Sequence, residues 1–510
     1  LYLEDYVQLV KDDVISRNDA VDFVNTVQRF DSKRVKKDTL RGVKKLAEYL
    51  EGDDFTSRLK RYIAHNSPDD WWGEDEDVKK SEAKVAKLVQ EVINTPSLLK
   101  ENDWLFTDEA QNGYRFGRGI GDIDVSNSFV NELLRLQQAS DKQYANKSTF
   151  VFVAGYLMSL YQRDKSEWQK MLDRIYGNKN LIRWYADACW RSHLDDYNAD
   201  RILECLKNGT IDSAQINMFR YGAVIDNLSP AAFHRWVEYL LSIDTLESVA
   251  ITIDLYAAYY IHRGKNDLLP VDLTQRLITS SALKKKDDNV ARRIDYDWSM
   301  IAERFIAQNP DQTSDLFEFL LSNFDKEKTI FGSYGDYVKG VMNKIVIINP
   351  TQAWKKVAKY LEKEDRSWRL EMSWLGGGAS FDDDNSAIAL FPKDVVLAWV
   401  DKKPEEKRVN KIAYMMPHDY DHEKGEDSWY ATILDRYGND RSVVNSVMAN
   451  FGTEGFSGPS SLHYANKVEK VKRFGELHKD SPNIQAWVNK IVSQLNAQVQ
   501  QARLKEERQE

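Results

Sequence analysis

The sequence predicts an all-α fold built from repeated helical hairpins, and three observations predict it. Gly and Pro are sparse, at 24 and 11 of 510 residues, while Leu, Ala, Glu, Lys and Gln are frequent, a composition that favours helix. Apolar and polar residues rarely alternate at strand spacing. A proline-led segment recurs: "LSPAAFHRWVEYLL" around Pro230, "LLPVDLTQRLITS" around Pro270, "QNPDQTSDLFEFLL" around Pro310, "INPTQAWKKVAKYLE" around Pro350 and "LFPKDVVLAWVDK" around Pro392. A chain of this length exceeds what one compact core normally reaches, so an array of repeats or several domains is expected.

Taken in chain order, residues 1–225 read as divergent helical repeats, with helices over Phe150 to Tyr161, Trp168 to Ile175 and Ala199 to Lys207. Residues 226–480 read as regular repeats. The first four prolines stand 40 residues apart and Pro392 follows after 42. The seventh residue after each is Val237, Leu277, Phe317, Val357 or Trp399, apolar every time; Phe233, Leu273 and Val395 fill the third position and Trp354 the fourth. These positions share one face of a helix. A second helix fills the interval: Leu246, Val249, Ile253, Tyr256 and Tyr260, then Val290, Ile294, Trp298, Ile301 and Phe305, then Tyr337, Val338, Val341, Ile345 and Val346. Two helices and two turns make a unit of HEAT-like length, longer than the roughly 34 residues of a tetratricopeptide unit. A pair of that size buries its stripe only by stacking on neighbours, which predicts a right-handed α-solenoid. The rhythm continues through Lys393 to Asp401 with Glu405 to Met416, and from Ser428 to Phe451, into a last pair opened by "GFSGPSSLHYANKVEK". Residues 481–510 read as a C-terminal capping helix whose polar end, "QARLKEERQE", suits exposure to water.

Three stretches interrupt the pattern: "NSPDDWWGEDED" (66–77), "LGGGASFDDDNS" (375–386) and "HDYDHEKGED" (418–427). Long loops of this kind carry function when they lie on one face of a scaffold. Trp71 and Trp72 stand in an acidic loop outside any apolar stripe, the setting of an anchor for a protein partner. With them, Trp374, Phe381, Asp383, His418, Tyr420 and His422 are the expected partner-binding residues.

Signatures of chemistry are scarce. No G-x-x-x-x-G-K-[ST] loop occurs, and "FGRGIGD" (116–122) lacks the lysine and the preceding strand of a nucleotide site; its glycines are expected to end one helix and admit another. His418 and His422 are four apart among acids, a zinc-like spacing, but Pro417 and Gly425 put them in a loop and no third ligand is near. "FDDDN" (381–385) lacks the glycine and glutamate of a calcium loop. A G-x-S-x-G elbow is absent too. No catalytic, cofactor-binding or metal-binding residue is therefore expected, and the chain reads as non-catalytic.

The formal charge of −9 argues against a nucleic-acid platform. Cys189 and Cys205, the two cysteines, read as buried thiols in a reducing compartment. No apolar run approaches membrane length and no signal-peptide pattern opens the chain, so a cytoplasmic protein without a membrane partner is expected. Leu1 in place of methionine raises the expectation of a piece of something larger.

Several stretches together resemble the C-terminal helical-repeat region of large bacterial antiphage defence proteins of the antiviral STAND ATPase and sirtuin-linked type. They include "WLFTDEAQNGYRFGRGIGDID", "FVAGYLMSLYQRD", "ADRILECLKNGTIDSAQINMFRYGAVIDNLSPAAF", "FPKDVVLAWVDKKPEEKRVNKIAYMMP" and the ending around Gly458, Pro459, Trp487 and Val488. The resemblance implies a sensor that docks a phage structural or packaging protein and relays to an effector or NTPase module in the same gene or another chain. Neither effector nor NTPase motifs occur here. The alternative expectation is a structural scaffold for host proteins or for its own copies, as a homo-oligomer.

Overall fold

Helix accounts for all the regular structure in the computed structural model, which describes the chain except residues 1, 13, 17–19, 21–22, 25, 28–35, 52–53, 65–74, 263–266, 286, 324–334, 363–373, 376–385, 405–406, 421–427, 453–457 and 509–510. Among the described residues there is no β-strand, and one isolated bridge pairs Thr107 with Ser148. The all-α expectation is met. The chain divides into two compact units, Leu1–Trp236 and Val237–Glu510.

The first unit contains α1 (Tyr2–Lys11), α2 (Lys37–Glu51), α3 (Phe55–Ile63), α4 (Asp75–Asn94), α5 (Leu98–Glu101), α6 (Gly113–Ile123), α7 (Val130–Tyr144), α8 (Val151–Arg163), α9 (Lys165–Tyr176), α10 (Tyr185–Arg191), α11 (Asp196–Lys207) and α12 (Ser213–Asn217). Its centre is α8, in which Phe152 to Leu157 are buried without a break. A helix apolar all round must be covered all round. Neighbours α6, α9 and α10 supply that cover.

The tightest contact is with α6. Gly113, Gly117 and Gly121 recur at i, i+4 and i+8 along one face of that helix, and α8 answers with Gly155. A Cβ on Gly117 would sit 2.0 Å from the Phe152 carbonyl oxygen, and one on Gly155 2.0 Å from that of Tyr114. The two backbones touch, which only glycine permits. The expectation that "FGRGIGD" ends one helix and starts another is thus corrected: the segment lies inside a single helix, and its glycines are a packing seam.

Where α6 ends, Asp124 turns the chain into α7. Its carboxylate accepts the Ser128 and Phe129 amides at 3.0 and 2.9 Å, the Ser126 and Ser128 hydroxyls, and the Tyr156 hydroxyl of α8 at 2.8 Å. Burial pushes this carboxyl up, yet the amides of Phe129 and Ser128 and the hydroxyls of Tyr156 and Ser128 outweigh it and leave it below the ordinary carboxylate range. Cys189 in α10 and Cys205 in α11 are buried free thiols. Burial, with a contribution from Glu204, pushes Cys205 up to about 11 and suppresses its thiolate.

Helix α13 (Pro230–Ser242) carries the division between the units. The second unit continues with α14 (Leu246–Tyr256), α15 (Val271–Ile278), α16 (Asp288–Gln308), α17 (Ser314–Asn323), α18 (Gly335–Ile348), α19 (Pro350–Leu361), α20 (Lys393–Asp401), α21 (Arg408–Met415), α22 (Trp429–Tyr437), α23 (Arg441–Phe451), α24 (Ser460–Leu477) and α25 (Pro482–Glu506). Pro230 and Pro350 occupy the first helical position, Pro270 and Pro392 the cap before it, and Pro310 a 3-10 turn ahead of α17. All these positions tolerate a missing N–H and a fixed φ.

The shared stripe is buried where the spacing expects it: Val237, Leu277, Phe317 and Val357 are each at most 1 % exposed. Helix α20 departs from the others. Its stripe is rotated by about one residue, with Val396 and Val400 buried and Trp399 half-buried. The Trp399 ring lies edge-on to Trp354 at 5.6 Å, its Nε1 donates to Glu362 at 3.2 Å, and the Arg408 guanidinium lies over it at 4.5 Å, giving the large indole both apolar and polar contacts.

Cover comes mainly from helices two places along. Helix α16 packs on both α14 and α18, α17 on α19, and α21 on α23, while α24 and α25 form a long hairpin. Helix α14 and the π-turn Ala257–Ile261 after it are buried from Ser248 to Tyr260. The Arg293 guanidinium of α16 reaches across to Glu247 at 3.0 Å and to the buried Asp254 at 3.4 Å.

Gly117→Ala should lower stability by about 1–3 kcal/mol or more, because α6 and α8 must separate. Gly340→Ala, at a helical position where an added Cβ meets nothing within 4 Å, should raise it by about 0.5–1 kcal/mol; urea midpoints at constant slope check both. Asp124 contributes stability that is present above the unfolded carboxylate value and lost as pH falls through its depressed folded value. The stability gap between wild type and Asp124→Asn should therefore narrow below about pH 4, as read by denaturant titrations across that range.

Candidate functional site

Two of the sequence interruptions begin and end in the core of the second unit. The first, 375–386, follows Trp374, which is 3 % exposed. Its Nε1 donates to Asn343 Oδ1 of α18 at 2.7 Å, and its ring meets Phe317 and Phe391 edge-on at 6.1 and 6.4 Å. Leu375 follows, fully buried, and its carbonyl accepts the Ile388 amide at 3.2 Å. Ser386 closes the far side: its hydroxyl lies between the carbonyls of Leu375 and Met415, at 2.5 and 2.7 Å. A hydroxyl has one proton for these two acceptors. Leu375 and Ser386, the described residues on either side of 376–385, are therefore held to each other and to the end of α21.

The second interruption leaves from that same end. Helix α21 finishes at Met415 with carbonyls that need donors. Asn450 of α23 supplies them: its Nδ2 donates to Tyr414 and Met416 at 3.0 and 2.9 Å, its Oδ1 accepts the Tyr430 hydroxyl at 2.5 Å, and its own carbonyl stands 2.9 Å from His418 Nε2. Asp419, buried, then caps α22 from outside. Its carboxylate accepts the Trp429 and Tyr430 amides at 2.7 and 3.2 Å and the Ser428 hydroxyl at 3.1 Å, while Ser428 Oγ accepts the Ala431 amide. An anion suits a helix N-terminus. Burial is nevertheless the largest influence on Asp419 and holds its carboxyl above the ordinary range. Tyr420 closes the stem, its ring 5.3 Å from Tyr430 and 5.0 Å from Phe451.

The expected partner-binding residues are thereby sorted. Trp374 and Tyr420, at 3 % and 2 % exposure, pack into the core of the second unit rather than standing exposed. His418 is half-buried and engaged with a backbone carbonyl. Trp71, Trp72, Phe381, Asp383 and His422 lie outside the described residues. Among the described residues no three His, Cys, Asp or Glu side chains are grouped to hold a metal ion, and no helix is long and apolar enough to cross a membrane.

Ser386, Asp419 and Asn450 are what sequence reading passes over. Each acts on groups far along the chain or through a turn, and a lone Ser, Asp or Asn carries no periodic signal. Ser428 is the exception, because a serine before an apolar helical run marks an N-cap. What the arrangement achieves is positional: two insertions, one with Asp382, Asp383 and Asp384 and no base, the other with four acids against Lys424, leave from stems joined through Met415 and Asn450. No protein family, curated protein or solved structure matches the chain.

Asp419→Ala should destabilise the second unit by about 1–3 kcal/mol, since the Trp429 and Tyr430 amides are left buried without acceptors. Asp419→Asn, which keeps one oxygen, should cost less. Hydrogen exchange at those two amides, together with urea midpoints, reads both effects.

Proposed function

We propose that the chain is a non-catalytic protein-binding module, a HEAT-like α-solenoid that offers its insertions to a protein partner. Three features support this reading. Proline-led helices with a common buried stripe recur every 40 residues or so, second helices cover one another in sequence, and two acidic insertions issue from joined stems. The joined stems carry it. Buried polar groups are costly unless satisfied, and here Ser386, Asp419 and Asn450 are all committed to joining the described residues that flank 376–385 and 421–427. A partner with a basic face is the chemical complement, since opposite potentials meet at specific interfaces. An interface of standard size, about 1,600 Å², is within reach of such a surface.

The resemblance noted above extends the proposal: a cytoplasmic sensor of bacterial antiphage defence whose partner is a phage structural or packaging protein, with the effector or NTPase module in the same gene or another chain.

Capture from phage-infected lysate tests this, with wild type beside a variant whose residues 376–385 and 421–427 are replaced by Gly/Ser segments of equal length. Wild type should retain a phage protein at near-stoichiometric level, and the variant should lose it with its thermal midpoint unchanged, because the stems remain. Absence of any phage protein, or undiminished capture by the variant, would count against the proposal; stable oligomers of the isolated chain without infection would favour a scaffold instead.

A further inference from the structure

We infer that Asn208 is a site of spontaneous covalent modification, deamidated through attack by the backbone nitrogen of Gly209. The chain has two Asn-Gly pairs, at 112–113 and 208–209. In both, a glycine without a Cβ leaves its amide nitrogen unobstructed beside the Asn side chain. The Gly nitrogen bonds to the Asn Cγ and loses its proton to solvent base, the Cγ–Nδ2 bond breaks, and ammonia departs with a proton from solvent. Water then opens the cyclic imide at either carbonyl, giving aspartate or isoaspartate. No reagent but water is consumed.

The surroundings separate the two pairs. Asn208 is exposed at the end of α11, where the Gly209 amide donates to Leu206 at 3.2 Å and the Thr210 amide to Cys205 at 2.9 Å. This is a Schellman ending with glycine in the left-handed region at φ +75°. The Asn208 Oδ1 accepts both the amide and the hydroxyl of Thr210, at 3.0 and 2.5 Å. Donors aimed at that oxygen stabilise the charge it gains as Cγ is attacked. Reaction requires Asn208 ψ to leave its value of 2° and the Gly209 amide to be released, but both movements are confined to one exposed helix end, the part of a helix that opens most readily.

Asn112 stands in the opposite situation. Its Nδ2 donates to Tyr62 at 3.2 Å and its amide to Ile63 at 3.0 Å. Gly113 is buried, its amide donates to Ala110 at 2.9 Å, and it opens the helix whose glycine seam lies against α8. Freeing that nitrogen means disturbing the centre of the first unit.

The product matters for α11. A carboxylate at residue 208 places negative charge on a helix C-terminus that already carries a partial negative charge, and isoaspartate adds a backbone methylene inside the Schellman turn.

Incubation of the full chain at mildly alkaline pH, followed by peptide mapping for the one-dalton gain and for isoaspartate, tests the assignment. Conversion at Asn208 should exceed that at Asn112 by a factor of about ten or more, the ratio set by the difference in local opening. Thr210→Val, which keeps the Asn-Gly pair and removes the hydroxyl donor, should slow it. Equal conversion at the two sites, or a Thr210→Val chain that reacts as fast as wild type, would overturn the inference.

Discussion

A helix of a dozen residues with one apolar stripe cannot hide that stripe within itself, and the rest of this structure follows from where each stripe finds cover. In the second unit cover comes from helices further along: α16 lies between α14 and α18, α17 meets α19, and α21 meets α23. In the first unit the problem is harder, because α8 is apolar on nearly every face. Glycine solves it. With Gly117 against the Phe152 carbonyl and Gly155 against that of Tyr114, α6 comes close enough to replace water with backbone, and dispersion contacts take the place of side-chain packing.

Covering stripes leaves the helix ends. Each turn between packed helices exposes N–H or C=O groups to an interior that cannot hydrogen-bond them, and single polar side chains answer these demands. Asp124 serves the entry of α7, Asp419 the entry of α22, and Asn450 the exit of α21. The last two also hold in place the described residues on either side of 421–427.

The helical class was legible because a period of 40 residues survives in the prolines and in one buried position after each. Val237, Leu277, Phe317 and Val357 needed no structure to be assigned to the core. Trp399 and Tyr337 escaped the rule, the one half-buried and the other 44 % exposed, because an indole that finds an edge contact and a carboxylate, or a phenol near a helix start, satisfies itself without facing inward. The site was far less legible. Trp374 and Tyr420 sit in loop-like sequence, and only contacts with Asn343, Phe317 and Phe451 make them core. The glycines of α6 read as helix breakers; what makes them a seam is the Gly155 partner on another helix, and sequence separation hides it.

If cover is supplied by neighbours, stability should be graded along the second unit rather than shared equally. Hydrogen exchange of the intact chain in rising urea, resolved segment by segment, measures this most directly. Amides between Ser248 and Tyr260, enclosed on all sides, should hold protection to the highest urea, and those of the α24–α25 hairpin should exchange well before them. Loss of protection throughout the unit in one simultaneous step would contradict the account.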